Sequence, residues 1–231
     1  MEGRLAVTTS AKELELYLNL KISPTDKKRH LNEALYNVAP SSFLPVITNE
    51  EQNKIRFLKW GLIPSWKNTY KNTKGLSNIN LSSFEGKPAL QKALNNKHCL
   101  VYVTGFYIWK DSPAGKIPYY ITLKSKKIFG ISGIWESWED EKIADNFCII
   151  TKKPEGALSY FQNEIPAAIK EEASRDWLAN TTAEVLNEQN FIPEIEFEYY
   201  PVNQKIIKSL ENNPKFIQKT SYIVGEQTNL F

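Results

Sequence analysis

Between residues 99 and 151 four apolar runs of β character follow one another: "CLVYVTGFYIWK", "IPYYITLK", "KIFGISGIW" and "NFCIIT". Polar turns separate them, and no stretch of helical period intervenes. Strands joined this closely cannot be parallel, because a parallel crossover needs a dozen or more residues. The centre of the chain is therefore expected to be an antiparallel sheet. One strand within it, "TGFYIWK" at 104–110, constrains the fold further. Under period-2 alternation Phe106, Ile108 and Lys110 point one way, and Tyr107 and Trp109 the other. Rings on both faces mean cover on both faces, either core twice or core once and a ligand once. From these seven residues alone, double burial is the simpler reading.

Helices lie to either side of this centre. After a short strand, "RLAVT", Ser10 and Glu13 of "SAKELELYLNL" form a capping box that opens an amphipathic helix. In "YNVAP", Pro40 biases Ala39 toward an extended backbone. "FLPVI" and "IRFLKWG" read as strands paired around "TNEEQN". "EGKPALQKALNN", "SRDWLAN", "TTAEVLNEQ" and "NQKIIKSLEN" read as helices, and "EIEFEYYPV" as a strand. The expected class is α+β: a β-rich domain over 1–231 with a curved or barrel-like antiparallel sheet and peripheral helices. No glycine-rich strand-to-helix loop is present, which argues against a mononucleotide fold.

Composition narrows the function classes. A net charge of +3 permits an anionic partner without demanding one. The first residues lack a basic region followed by an apolar one, and no apolar run approaches eighteen residues; neither a signal peptide nor a membrane span is expected. Cys99 and Cys148 both sit in apolar β runs and read as small buried hydrophobes in a reducing, cytoplasmic compartment. His30 and His98 stand far apart with no ligand spacing, so no metal site and no cofactor are expected.

Candidate functional residues are sparse. The loop "LIPSWKNTYKNTKGLSN" is long and carries Trp66 beside Lys67, Lys71 and Lys74. Long loops of this kind are usually functional or disordered. An exposed Trp66 would stack a base while the lysines meet phosphate; equally, Trp66 packs down and caps the loop. Trp60 ends a strand and reads as core. "KSKK" at 124–127 is a hairpin turn, and "ESWEDEK" at 136–142 an acidic one. No Ser-His-Asp, Cys-His or paired-carboxylate arrangement can be assembled.

Taken in order, "M-x-G-R" at the start, "YNVAP", "WGLIPSW", "NINLSSFEGKPA", "GFYIWK", "GIW", "IIT" and "IPAAI" resemble the blocks of the SOS response-associated peptidases, also called abasic-site processing or SRAP proteins. The likeness runs from residue 1 to about residue 218. It implies a compact β-rich α+β domain with a groove for single-stranded DNA. In that family an N-terminal cysteine, exposed by removal of the initiator Met, traps the aldehyde of an abasic site as a thiazolidine. A Glu and a His handle protons, and an Asn and an Arg hold sugar and phosphate.

Carried over residue by residue, the likeness is incomplete. Gly3 and Arg4 match, but the cysteine position is Glu2. Asn78 is kept, and the Arg two residues on is Asn80. The family's Glu is Ile108; in "FQNEIP" the His position is Gln162 and the Arg position Glu164. Thiol, acid and proton shuttle are thus missing together. Glu2 is also too large for methionine aminopeptidase, so Met1 is expected to stay; its α-amine could form a Schiff base that no thiol can close.

The resemblance implies a degenerate member, a monomer without catalytic activity, that keeps single-stranded DNA binding through Arg4, Asn37, Trp66, Asn78 and Asn80. A second reading is a protein-interaction module with no DNA role, which Asn80 and Glu164 favour because each removes a cation. A third is altered chemistry at Met1, Glu2, Asn78 and Gln162. If the site maps as in the family, Ile108 lies deep in the pocket, Glu2 at its mouth, and Asn78 within reach of both.

Overall fold

The computed structural model describes residues 3–27, 33–64, 75–113, 115–125, 127–138, 144–179 and 185–221. Among the described residues, two sheets and four helices make up most of the regular structure. The first sheet contains β1 (Arg4–Val7), β3 (Leu35–Val38), β8 (Gly105–Ser112), β9 (Gly115–Leu123) and β14 (Phe197–Pro201), in the order β14-β9-β8-β1-β3. Every pairing in it is antiparallel.

The second sheet contains β2 (Lys21–Ile22), β4 (Phe43–Thr48), β5 (Lys54–Trp60), β7 (His98–Val103), β10 (Phe129–Glu136), β11 (Asn146–Lys152) and β12 (Ile165–Pro166), in the order β12-β11-β10-β7-β4-β5-β2. The short β6 (Asn78–Asn80) pairs with β11, and β13 (Ala168–Ile169) with β10. This sheet is mixed, where a purely antiparallel one was expected: β11 runs parallel to both β5 and β6, and β2 parallel to β5. The β5–β11 contact also brings the path of the sheet back on itself, so it is strongly curved.

The helices are α1 (Ala11–Leu18), the single turn α2 (Pro24–Lys27), α3 (Pro88–Asn96) and α4 (Glu171–Ala179). The capping box is present as expected: Ser10 N and Oγ donate to Glu13 Oε2 at 2.8 Å, and Glu13 N donates to Ser10 Oγ. The expected helix over "NQKIIKSLEN" shortens to a 3₁₀ turn, Gln204–Ile207. Beyond it the chain is held by Asn37, whose Nδ2 donates to the carbonyls of Ser209 and Glu211 at 2.9 and 3.2 Å.

The strand of residues 105–110 is covered twice. Phe106 and Ile108 face the main core between the sheets, where Phe106 meets Phe129 and Phe197 edge-on. Tyr107 and Trp109 face a second cluster with Ala6, Tyr120, Val202, Ile206 and Phe216. The Tyr107 hydroxyl donates to Tyr36 O at 2.5 Å, and burial pushes the Tyr120 phenol up to about 12. The chain after β14 therefore forms the back wall of the first sheet. It is also tied to the edge strand β3: Tyr36 N donates to Asn212 Oδ1 at 2.7 Å, and Asn212 Nδ2 to Ala34 O at 2.8 Å.

On the second sheet α4 packs over β7. His98 is buried against the Trp177 ring, with centroids 5.0 Å apart, and its Nε2 lies 3.3 Å from Leu178 O. Its Nδ1 is buried without a partner. Burial holds this imidazole below its ordinary 6.5. A depressed histidine leaves the unfolded chain binding the extra proton, so stability falls as pH drops below about 6.5 toward the folded value. Thermal melts across that window should show the loss, and His98→Gln should flatten it. An unchanged slope in that variant would clear His98 of the effect.

Candidate functional site

Two clefts adjoin the segment Ser159–Glu164. The first, about 590 Å³, is lined by Asn80, Ser82, Glu85, Lys152, Lys153, Gln162, Asn163, Glu164 and Glu188, among others. The second, about 430 Å³, is lined by Trp109, Asp111, Lys116, Tyr160 and Phe161. Ser159, Gln162 and Asn163 belong to both, so the two clefts share a wall.

Short-range bonds position the first cleft. β6 lies beside β11, with Asn78 opposite Ile149 and Asn80 opposite Thr151. Thr151 Oγ1 donates to Glu164 Oε2 at 3.0 Å, and Asn78 Nδ2 reaches the same oxygen at 3.5 Å. Asn78 Oδ1 in turn accepts from Ser77 Oγ at 3.0 Å. Asn80 caps the 3₁₀ turn that follows it: its Oδ1 accepts from Ser82 N and Ser82 Oγ at 3.0 and 2.8 Å. Gln162 Oε1 accepts from Trp109 N at 3.4 Å, just beyond the stretch of β8 that pairs with β1.

Charge in this cleft is mixed. Two lysines, Lys152 and Lys153, stand against three carboxylates, Glu85, Glu164 and Glu188. Lys152 is already bound to Glu188 and lies over the Phe191 ring, 4.8 Å from its centroid. A lining of this sign does not favour phosphate. It suits neutral or dipolar groups that exchange hydrogen bonds with Asn80, Ser82, Ser159, Gln162 and Asn163.

The sequence-derived residues do not all come together. Asn78, Asn80, Gln162 and Glu164 come together around the first cleft. Arg4 lies opposite Tyr107, and cross-strand neighbours share a face. Its side chain therefore belongs to the Tyr107 face of the sheet, with Nη1 3.5 Å from Gly3 O. Asn37 is buried on β3, with its amide donating to residues 209 and 211. Glu2, Trp66, Lys67, Lys71 and Lys74 lie outside the described residues.

Ile108 stands one residue beyond the Arg4–Tyr107 pair, and its distance to Glu2 lies outside the described residues. It is 0 % exposed within the main core and lines neither cleft. The face of Phe106 and Ile108 is buried in the main core, and it emerges only at Lys110, whose Nζ sits 5.1 Å from the Phe161 centroid.

No alternative thiol stands ready. Cys99 and Cys148 are both fully buried, and burial raises both thiols above their ordinary range. Among the described residues no cluster of three His, Cys, Asp or Glu side chains could hold a metal, and no helix is long and apolar enough to cross a membrane. Sequence reasoning missed Thr151, Lys152, Lys153, Glu85 and Glu188. Thr151 sits inside the quoted "IIT" block and Glu85 inside "NINLSSFEGKPA", so a signal existed for both; the others converge only through the tertiary fold.

Similarity to known proteins bears on the family and the fold. The family model for the SOS response associated peptidases (SRAP) matches residues 1–209. The abasic site processing protein YoqW of Bacillus subtilis (strain 168) is 31% identical over 192 residues, spanning 79% of this chain and 85% of that protein. The abasic site processing protein HMCES of Xenopus tropicalis is 26% identical over 215 residues, spanning 78% and 64%. A crystal structure of a Bacteroides thetaiotaomicron protein superposes with a TM-score of 0.82 at 22% identity, covering 94% of this chain and 99% of that one. At that identity the superposition speaks for the fold alone. With the family model covering most of its length and a relative above 30% identity, the chain belongs to the SOS response associated peptidase family.

Proposed function

We propose that this protein works in the DNA-damage setting of its family, meeting single-stranded DNA without forming the covalent crosslink to an abasic site. The observation that carries the reading is Ile108: the position matching the family's acid holds a hydrocarbon with no exposure at all. General acid–base help of roughly 10²–10⁴-fold has no donor there. At the position matching the family's histidine, Gln162 has its carbonyl oxygen on a backbone N–H, and an amide does not shuttle protons near neutral pH. Both cysteines are buried and protonated, so neither replaces the thiol. DNA binding is then noncovalent, and Arg4, Asn78 and Asn80 are its residues from the family pattern, with Trp66 in the lysine-bearing loop. Asn37 serves to hold the chain end. The protein acts as a monomer in this reading.

Incubation with single-stranded DNA carrying an abasic site, followed by a denaturing gel, tests the proposal. No boil-resistant shifted band is expected; a stable band would overturn the crosslink-free reading. A salt titration of the noncovalent complex should give a shallow slope, about −0.7 in log K per phosphate contacted.

A specific observation favours the second reading, a protein-interaction module. Glu164 occupies a position where the family has an arginine, and it is held there by Asn78 and Thr151. A carboxylate at the position of the family's guanidinium removes a cation and would repel phosphate. Absence of any salt-dependent DNA binding would decide for this reading.

A further inference from the structure

The described residues leave one edge of the first sheet open. β14 is its outermost strand and pairs with β9 on one side only. Lys124 N donates to Glu196 O and Val202 N to Pro118 O, so the even-numbered residues of this ladder carry the bonds to β9. The backbone groups of Phe197, Tyr199 and Pro201 therefore point outward. Phe197 N turns back to Glu194 O. Tyr199 N, Tyr199 O and Phe197 O meet no partner among the described residues.

Such an edge invites another strand, and β14 carries little to discourage one: no lysine, no bulge, and a proline only as its last residue. Its outer surface is apolar. Tyr199 shares the face of Phe197 and brings its ring out against Phe161, centroids 5.5 Å apart. Just before the strand Ile195 is 77 % exposed, and Glu194 Oε1 accepts from Leu158 N at 2.7 Å, in the turn whose Tyr160 is 84 % exposed.

The first bond of a further strand is already present. Pro201 has no N–H, so a residue paired with it makes one bond only, to its carbonyl. Thr220 N makes that bond at 2.9 Å. Thr220 is held in place by the chain before it: Phe216 is buried in the second cluster, and the Tyr200 hydroxyl donates to Ile217 O at 3.0 Å. Tyr222, Ile223 and Val224, which follow Ser221, lie outside the described residues. They are aromatic and β-branched, the types that fit a pleated surface, and Gly225 closes the run. Parallel to β14 this segment would pass beyond Pro201, where Val202 N is already taken. Antiparallel, its alternate residues fall at the spacing of the free groups.

We propose that residues 221–224 dock on this edge as a further strand antiparallel to β14, with Tyr222 opposite Tyr199, Ile223 opposite Glu198 and Val224 opposite Phe197. Tyr222 and Tyr199 then exchange both backbone bonds, their rings pair on one face, and Val224 N donates to Phe197 O. The tether at Thr220 favours this segment over a free peptide or a second copy by effective concentration. Docking of this kind is independent of DNA, and it closes the edge to pairing between copies.

Hydrogen exchange at the Tyr199 amide of the full chain tests it. Tyr222→Pro removes the donor to Tyr199 O and should speed that exchange about tenfold, on the scale of one or two hydrogen bonds. Ile223→Pro removes an N–H that points away from β14 and should stay near the wild-type rate. Paired residues of this type have Cα atoms about 5.5 Å apart, within disulfide reach. Tyr199→Cys with Tyr222→Cys should therefore crosslink within one chain under a mild oxidant, and Tyr199→Cys with Ile223→Cys should not. Cys99 and Cys148 are buried and stay out of the reaction. Equal Tyr199 exchange in the wild type and Tyr222→Pro, or a 199–223 crosslink as fast as the 199–222 one, would overturn the proposal. A dimer crosslinked through Tyr199→Cys alone would give the edge to a second copy and overturn it too.

Discussion

Ile108→Glu is expected to destabilise the protein by about 3–5 kcal/mol at pH 8, the scale for an uncompensated buried charge. That is a large share of the ~5–15 kcal/mol that holds a typical domain together. The side chain to be replaced is 0 % exposed, opposite Tyr119 in the β8–β9 ladder and within the main core. A carboxylate placed there meets hydrocarbon, and its folded-state pKa rises above the usual ~4.3. The sign of the pH effect follows. A raised folded pKa leaves the variant best off when the group is protonated in both states, and stability is lost as pH climbs through the folded value. Melting temperature should therefore recover in part between pH 8 and pH 5. Ile108→Val, which only removes a methylene, should cost about 0.5–1.5 kcal/mol with no such pH dependence. An Ile108→Glu variant as stable as wild type at pH 8 would mean that the site opens to water. The reading that rests on a dry hydrocarbon at position 108 would then fall.

Position 108 also marks the limit of what was legible in the sequence. The motif blocks located positions 2, 78, 80, 108, 162 and 164, and four of the five described positions do line or adjoin one cleft. Position 108 does not, because residue type at a strand position does not say which side of a double-covered strand is closed. Local signals carried well: the capping box at Ser10 and Glu13 depends on atoms three residues apart. The double cover of residues 105–109 also followed from their own alternation.

What stayed hidden depends on distant partners. β2 and β6 have two and three residues and carry no period of their own; their parallel alignment exists only because β5 and β11 are beside them. Asn37 read as a DNA contact because it stands within a family block. Its amide is instead spent on carbonyls some 170 residues further along the chain, separations of 172 and 174. Tyr160 had no signal at all, since exposure of one ring in a loop is not written in its neighbours' identities.

The other large effect is expected at Gly75, just after the segment 65–74 that contains Trp66 and its lysines. A Cβ added there would lie 2.5 Å from Gly61 O, 2.7 Å from Gly61 C and 2.9 Å from Gly61 Cα. All three are backbone atoms, so no side chain can swing aside. Gly61 itself has φ +139°, a conformation that leaves its neighbour's backbone little room to be replaced. Two bonds close this neck: Leu62 N to Leu76 O at 2.8 Å, and Leu76 N to Leu62 O at 2.9 Å. Trp60 Nε1 donates to Ser77 O at 2.7 Å, Ile63 N to Asn146 Oδ1 at 2.8 Å and Trp138 Nε1 to Ile63 O at 2.9 Å, so both sides are held to the second sheet. Gly75→Ala must push the two sides apart. Overpacking of ~1–3 kcal/mol, with the two bonds weakened by up to ~1 kcal/mol each, gives an expected loss of about 2–4 kcal/mol in denaturant melts. Hydrogen exchange at Leu62 and Leu76 should accelerate more than exchange in β7 or β10, because the opening is local. Gly86→Ala is the control: its φ is +68° but nothing lies within 4 Å of the added Cβ, so it should cost only about 1 kcal/mol. The displaced neck also moves Ser77 and Asn78 relative to Glu164, three residues from the substitution. DNA affinity should fall together with stability, even though no charge has been touched. A Gly75→Ala protein within ~0.5 kcal/mol of wild type, with Leu62 and Leu76 still protected, would show that the neck yields freely and plays no part in holding the site.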